Sequence, residues 1–327
     1  MLYATTRNKQ DAFPSGQTLK GKQAPDGGYY VPVDLKPLTQ QQVESLRYLP
    51  FNQCLVQLLN YFFDAKLTTF DLEFTVGRRP VRTRALSQRI VMAECWRNTE
   101  WTFDGMVKAI GRKLTGEEGE LGDWPAIAVR LAVLCGLFGE LQRQELVKEP
   151  VDVAVTVTDF AGVMSLWYGR KWGLPIRNIV CACDEDSGLW ELFHQEQLHM
   201  EGLPQGLERL VAACGDEWEV ERFGEICRRG GVYTPGEGVL DKMEQGLHIS
   251  VISEAQMLRT IPAAYATHKY LLAPESAVAY AGLLDYRAKT GQNHLGLILA
   301  DRSPDLDRDT VAGAMGLSPE QVAAIPL

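Results

Sequence analysis

The chain has 327 residues, of which 46% are hydrophobic and 23% charged, and its formal net charge is −9 at pH 7. This length allows one large domain or two of ordinary size, with a substantial buried core. The negative charge and the lack of a lysine- and arginine-rich stripe argue against nucleic-acid binding. The first residues lack the apolar core of a secretory signal, and the seven scattered cysteines are typical of reduced thiols. We therefore expect a cytoplasmic protein.

The first part of the chain is predicted to be helical after a polar, glycine-rich start. Leucine spacing predicts a helix over about residues 40–63. The run GRRPVRTR, residues 77–84, contains four arginines. We interpret it as a solvated turn ahead of a helix rather than as an anion site. Residues 82–114 are interpreted as two helices, or as a strand and a helix.

Asp104 is the first residue whose role the sequence leaves open. The residues after it, GMVKAIGRKL, place Met106, Val107, Ile110 and Leu114 at the spacing of an amphipathic helix. An aspartate at such a start can accept hydrogen bonds from free backbone N–H groups and oppose the positive end of the helix dipole. The pattern predicts that Asp104 caps this helix, although its carboxylate could also be catalytic.

A charged connector, Leu114–Asp123, leads into the most apolar segment of the chain, Ala126–Leu141. Arg130 and Glu140 interrupt this segment, which is too short and too charged to span a bilayer. We expect it to be a buried helix, with no association with a membrane.

The second half of the chain alternates strands with helices. The clearest strand is Val151–Thr158, followed by a helix over Val163–Trp172 and a strand over Arg177–Cys183. Such a short strand–helix–strand unit predicts a parallel pair of strands. A helix over Ser276–Arg287 and a strand over His294–Ala300 continue the pattern, which indicates the α/β class.

Few motifs nominate a reactive centre. His194 and His199 are five residues apart, whereas pairs that bind metal on one helix are three or four apart, so we expect no metal site. Asp184–Asp186 follow a predicted strand, where α/β proteins place ligands, but a solvated loop is the simpler interpretation. Motifs for a dinucleotide, a P-loop, a nucleophile elbow and a zinc protease are all absent from the sequence.

Several stretches resemble threonine synthases. Residues 2–7, LYATTR, and 24–32, APDGGYYVP, are similar to that family's M-x-Y-x-S-T-R and A-P-D-G-G-L-Y-V-P. Residues 151–186 contain D-F-A-G, G-L-P-I and A-C-D-E-D where the family has G-N-F-G, G-L-P-I and A-T-N-x-N-D. Residues 274–280, PESAVAY, and 296–304, GLILADRSP, are similar to P-H-T-A-V-A-Y and G-L-x-L-x-T-A-H-P. The matches follow the family's order along the chain.

This resemblance implies a pyridoxal-phosphate (PLP) enzyme of the tryptophan-synthase-β fold, in which a lysine forms a Schiff base with the cofactor. In the family that lysine lies in H-G-P-T-x-x-F-K-D, at the start of a helix. The best placement of this motif matches Glu94 and Phe103 and puts Asp104 at the lysine position. A carboxylate cannot form an imine, so the resemblance implies that no catalytic lysine remains.

Other cofactor contacts also depart from the family pattern. The S-G-D-T-G phosphate loop and its subdomain have no counterpart, which implies a deletion near residues 115–123. The degenerate cofactor positions are Asp159, Phe160 and Ala161, where the family has G-N-F-G, and Asp301 and Ser303, where it has a threonine at the pyridine nitrogen and a histidine. We therefore expect PLP binding to be lost.

The resemblance implies an α/β fold in two parts. A threonine-synthase N-terminal domain is expected over residues 1–80, and a reduced fold-type-II PLP-enzyme domain with a mainly parallel sheet over residues 81–327. Loss of a subdomain uncovers a surface. We expect Trp96, Trp101 and Trp124 to fill it, or a second copy of the chain to cover it.

Our leading hypothesis is a threonine synthase-like pseudoenzyme that binds a protein partner, a second copy of itself or a small molecule. The alternative is a cofactor-independent enzyme acting on a small amino-acid-like or phosphorylated metabolite. That enzyme would use Asp159, Asp184 and Asp301 at the strand ends, where close like charges would raise one pKa. A third hypothesis is residual threonine synthase activity, which is a carbon–oxygen lyase reaction.

Overall fold

A small antiparallel sheet begins the chain in the computed structural model, which describes residues 1–19, 23–97, 102–116, 121–158, 160–200 and 206–327. Strand β1 (Leu2–Thr5) lies between β2 (Phe13–Pro14) and β3 (Tyr30–Pro32). The short helix α1 (Ser15–Thr18) follows β2 directly. The sequence did not predict these strands, because each is only two to four residues long and none shows a repeated alternation.

The helix predicted over residues 40–63 is broken into separate pieces. They are α2 (Gln40–Ser45), a 3-10 turn (Leu46–Tyr48) and α3 (Phe51–Phe63), and α4 (Thr69–Val76) follows. Pro50 causes the break, since proline lacks an N–H group and disfavours helical backbone in the residue before it. Leu49 is accordingly extended, with φ −90° and ψ 125°.

Six strands form the central sheet, and two short strands pair separately. In chain order the strands are β4 (Arg82–Ser87), β5 (Ile90–Glu94), β6 (Val151–Thr156), β7 (Ile176–Cys183), β8 (Leu198–His199), β9 (Val232–Tyr233), β10 (Leu247–Val251) and β11 (Gly296–Ala300). The central sheet has the order β10-β7-β6-β11-β5-β4, while β8 pairs with β9. All neighbours in it are parallel except β4 and β5.

The remaining helices pack around this sheet. They are α5 (Phe103–Thr115), α6 (Asp123–Arg143), α7 (Phe160–Trp172), α8 (Gly188–Gln195), α9 (Glu208–Cys214), α10 (Glu217–Arg229), α11 (Val239–Glu244), α12 (Glu254–His268), α13 (Pro274–Thr290), α14 (Arg308–Met315) and α15 (Pro319–Ala323). Further 3-10 turns span Cys95–Arg97 and Pro304–Asp307.

The strand–helix–strand unit of the second half is confirmed. Strands β6 and β7 are parallel neighbours joined through α7, as the pattern predicted. The predicted final helix and strand correspond to α13 and β11. The interpretation of residues 77–84 as a turn leading into a helix is wrong, because Arg82 begins β4. The division at residue 80 and the deletion near residues 115–123 stay predictions.

Alternate residues of the central strands contribute to two separate cores. Val153 and Leu297 belong to the larger core, which also contains side chains of α3, α5, α6 and α7. Their neighbours Ala154 and Ile298 belong to the other core, with side chains of α12, α13 and α14. Successive side chains of a strand point to opposite faces, so the sheet separates the two cores.

Helix α6 is the buried apolar helix that the sequence predicted, but it is longer than expected. Its 21 residues make it long and apolar enough to cross a membrane by length and composition alone. Within this fold 89% of its most apolar window is buried. Its close contact with other elements is clearest at Gly139, where a Cβ would come 2.6 Å from the backbone oxygen of Leu46. The helix is therefore a core element of an α/β structure.

The N-terminal signature is held to α9 by a buried carboxylate. Glu208 is 3% exposed and accepts hydrogen bonds from Thr6 Oγ1 and from Arg7, whose Nη2 lies 2.7 Å away. In the A-P-D-G-G run, Asp26 accepts a hydrogen bond from the Gly28 N–H at 2.9 Å. Gly27 between them has φ +78°, which favours glycine. The signature residues thus have structural roles. Asp26 and Gly27 form a turn, and Arg7 forms an ion pair with Glu208.

Candidate functional site

The carboxyl ends of the parallel strands define the candidate site. Strands β5, β6, β7 and β11 end along one edge of the sheet. Chain segments leading into α5 and α7 begin at that edge, and Thr156 Oγ1 at the end of β6 donates a 2.5 Å hydrogen bond to the carbonyl oxygen of Glu275 in α13. In α/β folds ligands bind at this edge, beside the starts of the helices.

Asp104 lies at the site, but it does not cap the helix. The N-cap of α5 is Thr102, whose side chain accepts a 2.9 Å hydrogen bond from the Gly105 N–H. Asp104 is the second residue of α5 and lies in its first turn, where a negative charge still opposes the helix dipole. The capping prediction for Asp104 is therefore wrong, because a threonine two residues earlier supplies the acceptor.

Two cations surround the Asp104 carboxylate. Lys108 Nζ is 2.8 Å from Oδ2, and Arg130 Nη2 is 3.8 Å from Oδ1. The Asp104 side chain is 52% exposed, whereas that of Arg130 is only 5% exposed and lies with its guanidinium 4.7 Å from the centre of the Phe103 ring. A buried guanidinium needs a nearby negative charge, so Asp104 helps to stabilise Arg130 in the middle of α6.

The segment that carries Asp104 pairs with the segment after β11. The Phe103 N–H donates a 2.7 Å hydrogen bond to the carbonyl oxygen of Asp301, and Thr102 forms an antiparallel bridge with Arg302. Asp104 and Asp301 are 197 positions apart in sequence, as their numbers show (301 minus 104), yet their backbones are neighbours. The structure thus brings together two of the positions that the resemblance selected.

Asp301 and Ser303 have different surroundings. Asp301 is partly buried near Cys95, and burial first and the charge of Asp301 second raise the pKa of that thiol. Cys95 is therefore a poor nucleophile. Ser303 is fully buried, and its Oγ accepts a 3.3 Å hydrogen bond from the Asp305 N–H at the start of a 3-10 turn. Its position is explained by this structural contact.

The loop after β6 contains the other positions that the resemblance selected. Phe160 is buried at the first residue of α7, and Ala161 follows it half-buried. Asp159 lies outside the described residues. The Thr158 N–H donates a 3.1 Å hydrogen bond to the carbonyl oxygen of Thr156. The structure therefore places Phe160 and Ala161 beside the strand ends. Phe160 packs in the core, and Ala161 is the small residue next to it.

The two described members of the proposed carboxylate cluster, Asp184 and Asp301, lie apart. Asp184 follows β7 and Asp301 follows β11, and β6 lies between these strands. Two strand spacings separate their backbones by about 10 Å. Coupling that strongly raises the pKa of one carboxyl requires a separation of about 4–6 Å. Residues 184–186 are also exposed, which agrees with a solvated loop.

Histidines and cysteines do not converge on a metal site in the described parts of the chain. No group of three or more histidine, cysteine or acidic residues there could hold a metal ion. His194 lies in α8 and stacks on Trp190, with ring centres 5.8 Å apart. His199 lies in β8 and contacts Glu191. The two histidines thus have separate local partners.

The tryptophans expected to fill the uncovered surface are buried where they are described. Trp124 lies at the start of α6 and packs against Tyr3, Phe62 and Tyr168, with ring centres 5.5 to 6.1 Å apart. Trp96 is also buried. Trp101 lies outside the described residues. Trp124 therefore fills a contact between the N-terminal region and the helices around the sheet.

Sequence reasoning missed the ion pair between Glu94 and Arg97. Glu94 ends β5, is 1% exposed and accepts a hydrogen bond from Arg97 Nε and another from Tyr270 at 3.1 Å. The spacing of three residues between the two charges was visible in ECWR. The ion pair was not predicted from this spacing, because Glu94 ends a strand and a helical turn is not expected directly after a strand.

Comparison with known proteins supports the resemblance at the N-terminus. Residues 2–78 match the family described as threonine synthase N terminus. Human threonine synthase-like 1 is 22% identical over 176 residues, which cover 48% of this chain and 24% of that protein. The matched part thus spans about a quarter of the length of this curated relative, as the 24% coverage states.

Comparison with solved structures supports the fold over the whole chain. PLP-bound threonine synthase from Brucella melitensis superposes with a TM-score of 0.79 at 14% identity, covering 97% of this chain and 92% of the other. Threonine synthase from yeast gives a TM-score of 0.80 at 13% identity, covering 99% and 93%. The expected resemblance and the mainly parallel α/β fold are therefore confirmed.

Proposed function

We propose that this threonine synthase-like chain has lost PLP chemistry and acts by binding rather than by catalysis. The observation that carries the proposal is Asp104. It stands in the first turn of α5, beside the end of β11, where the family motif has its lysine at the start of a helix. An amine is needed to condense with the cofactor's aldehyde, and a carboxylate cannot replace it.

Lys108 does not substitute for the missing lysine in this proposal. It lies one helical turn after Asp104, and its ammonium is 2.8 Å from the Asp104 carboxylate. The Lys108 ammonium thus has a carboxylate partner one turn away on the same helix. Lys108 is also 64% exposed, whereas a reactive lysine lies in a desolvated pocket.

The groups at the start of α5 already have local partners. Asp104 places a carboxylate at the positive end of this helix, and Thr102 accepts a hydrogen bond from the Gly105 N–H. Lys108 and Arg130 both lie beside the Asp104 carboxylate, so their positive charges are already offset and give a phosphate little attraction. An aspartate at the Asp301 position could pair with a pyridine nitrogen, but it cannot supply the covalent attachment. The described residues therefore do not fit PLP, and we derive no catalytic step through it.

Binding in this proposal concerns a protein partner, a second copy of the chain or a small molecule, in the cytoplasm and without nucleic acid or membrane. The net charge of −9 supports the exclusion of nucleic acid. Burial of Trp96 and Trp124 supports filling of the uncovered surface by local residues rather than by a second copy.

A PLP titration followed by absorbance tests the proposal. We expect the spectrum of the mixture to equal the sum of its components and all cofactor to leave on dialysis. The Lys108→Gln variant is the matched control for imine formation at the neighbouring lysine, and it should behave identically. A new absorbance band that survives dialysis at one cofactor per chain would contradict the proposal.

A further inference from the structure

A cavity of about 760 Å³ opens at the β4 edge of the sheet. Its walls come from the loop after α4, the start of β4, the 3-10 turn after β5 and the residue after α6. Four arginines line it, namely Arg78, Arg79, Arg82 and Arg97. The first three belong to the run interpreted from the sequence as a solvated turn. The cavity could not be predicted from that run, since Arg97 and the far wall come from distant parts of the chain.

Carboxylates offset only part of this positive charge. Glu94 contacts Arg97 and lies with Oε2 3.6 Å from Arg82 Nε, so one buried carboxylate serves two guanidiniums. Glu73 lies 3.0 Å from Arg78 at the surface. Among the described residues the cavity wall therefore carries more positive than negative charge, on a chain whose net charge is −9. Such a site raises the local concentration of small anions.

Arg97 donates to Glu94 through its Nε. Its Nε faces the carboxylate, and its guanidinium lies 4.4 Å from the centre of the Trp96 ring. Its Nη2 is buried and has no hydrogen-bond partner among the described residues, so a ligand in the cavity does not touch this atom. The donors that a ligand can reach are the guanidiniums of the exposed Arg79 and Arg82. A guanidinium pairs with carboxylate or phosphate oxygens through two parallel N–H groups, so an oxyanion is the natural acceptor.

The loop carrying Arg78 and Arg79 is fixed at both ends. Gly77 ends α4 with φ +81°, a conformation that favours glycine, and its carbonyl oxygen accepts a 2.9 Å hydrogen bond from Asn52. Val81, at the other end, is 1% exposed. The arginines between these anchors are therefore presented by a short, restrained segment, which lowers the entropic cost of ordering them around a ligand.

We propose that this cavity binds a small organic oxyanion with at least two negative charges, a phosphate ester or a dicarboxylate. The arginines supply the recognition of oxygen atoms. Val76, Pro80 and the Trp96 ring supply an apolar wall for the carbon part of the ligand. This site is separate from Asp104 and does not depend on the absence of PLP chemistry.

Isothermal titration with pyrophosphate and, separately, with malonate tests the proposal. Saturable binding is expected for at least one probe, weaker at high ionic strength because the attraction is electrostatic. Binding of pyrophosphate alone would identify phosphate esters as the ligand class, and binding of malonate alone would identify dicarboxylates. The double variant Arg79→Gln/Arg82→Gln should bind at least about tenfold more weakly.

The Arg259→Gln variant provides the matched control, since Arg259 is an exposed arginine on α12, outside the cavity. It should bind as the unaltered chain does. Arg82 lies 3.6 Å from the buried Glu94 carboxylate, so the double variant should melt at a somewhat lower temperature without ligand, and its binding is measured well below that temperature. Absence of saturable binding of both probes, or equal loss in the double variant and the control, would overturn the proposal.

Discussion

Glu208 joins the N-terminal signature to α9 through a single buried carboxylate. Replacing it by glutamine removes the charge that Arg7 faces. We expect Glu208→Gln to lower the free energy of unfolding by about 3 kcal/mol, as for other broken buried pairs. Urea denaturation measures this change. Glu225→Gln is the control, because Glu225 is exposed and 4.0 Å from Arg229, and it should cost less than about 1 kcal/mol. Equal effects of the two variants would contradict the structural role of Glu208.

The partly buried His248 is expected to make the free energy of unfolding depend on pH. Burial first, then Lys289, lowers its pKa below the ordinary 6.5, while Asp285 acts in the opposite direction. Below pH 6.5 the unfolded chain therefore binds a proton at His248 more readily than the folded chain does. The stability that the neutral His248 contributes is present above pH 6.5 and is lost as the pH falls below that value. The His248→Gln variant should lose less stability than the unaltered chain between about pH 7.5 and about pH 5.5 in urea denaturation.

The exposed Arg259 on α12 provides the comparison for this pH effect. Arg259→Gln removes no histidine, so it should leave the loss of stability on acidification as it is in the unaltered chain. The assignment to His248 fails if both variants, or neither, reduce the loss.

Single residues of the candidate site were visible in the sequence, but their neighbours were not. Asp104 stood out because it precedes an amphipathic run and matches a lysine position. Its contact with Arg130 depends on the packing of α5 against α6, and its closeness to the backbone around Asp301 depends on the pairing of β5 with β11. That pairing joins residues about two hundred positions apart, and periodicity in a local window contains no information on it.

The close approach of α6 to the preceding 3-10 turn predicts a strong effect at Gly139. An alanine Cβ there would lie 2.6 Å from the Leu46 backbone oxygen. We expect Gly139→Ala to lower the free energy of unfolding by about 1–3 kcal/mol through steric overlap. Thermal or urea unfolding measures this.

Gly313→Ala is the matched control, because Gly313 lies in α14 and a Cβ there meets nothing within 4 Å. Alanine is the better helix former, so this variant should be more stable by up to about 1 kcal/mol. A Gly139→Ala variant as stable as Gly313→Ala would show that α6 can move away from Leu46.

Elements with strong local signals were the ones that the sequence predicted. The β-branched run of β6 and the apolar length of α6 identify these elements almost independently of context. The strand β10, LHISV, was missed, because His248 and Ser250 interrupt its apolar character. Ser250 is fully buried in a polar contact, its Oγ donating a 3.1 Å hydrogen bond to the carbonyl oxygen of Gly282. Tertiary partners of this kind stabilise a strand that propensity alone does not indicate.

The whole molecule has the architecture of threonine synthases at low sequence identity. Its class and parallel order follow from alternating helices and strands, and its likeness to threonine synthases extends over 97% of the chain at 14% identity. Packing tolerates many apolar exchanges, so a fold persists at this identity. Catalysis depends on a few groups, and the proposed loss of PLP chemistry requires only one carboxylate, that of Asp104, in place of an amine.

Borohydride reduction of an equimolar mixture with PLP, followed by intact mass measurement, tests the loss of PLP chemistry most directly. Reduction makes any imine permanent, so a lysine-bound cofactor would appear as a mass adduct. We predict that the chain retains its unmodified mass, apart from traces spread over surface lysines. A stoichiometric adduct on one lysine, Lys108 or any other, would contradict the account.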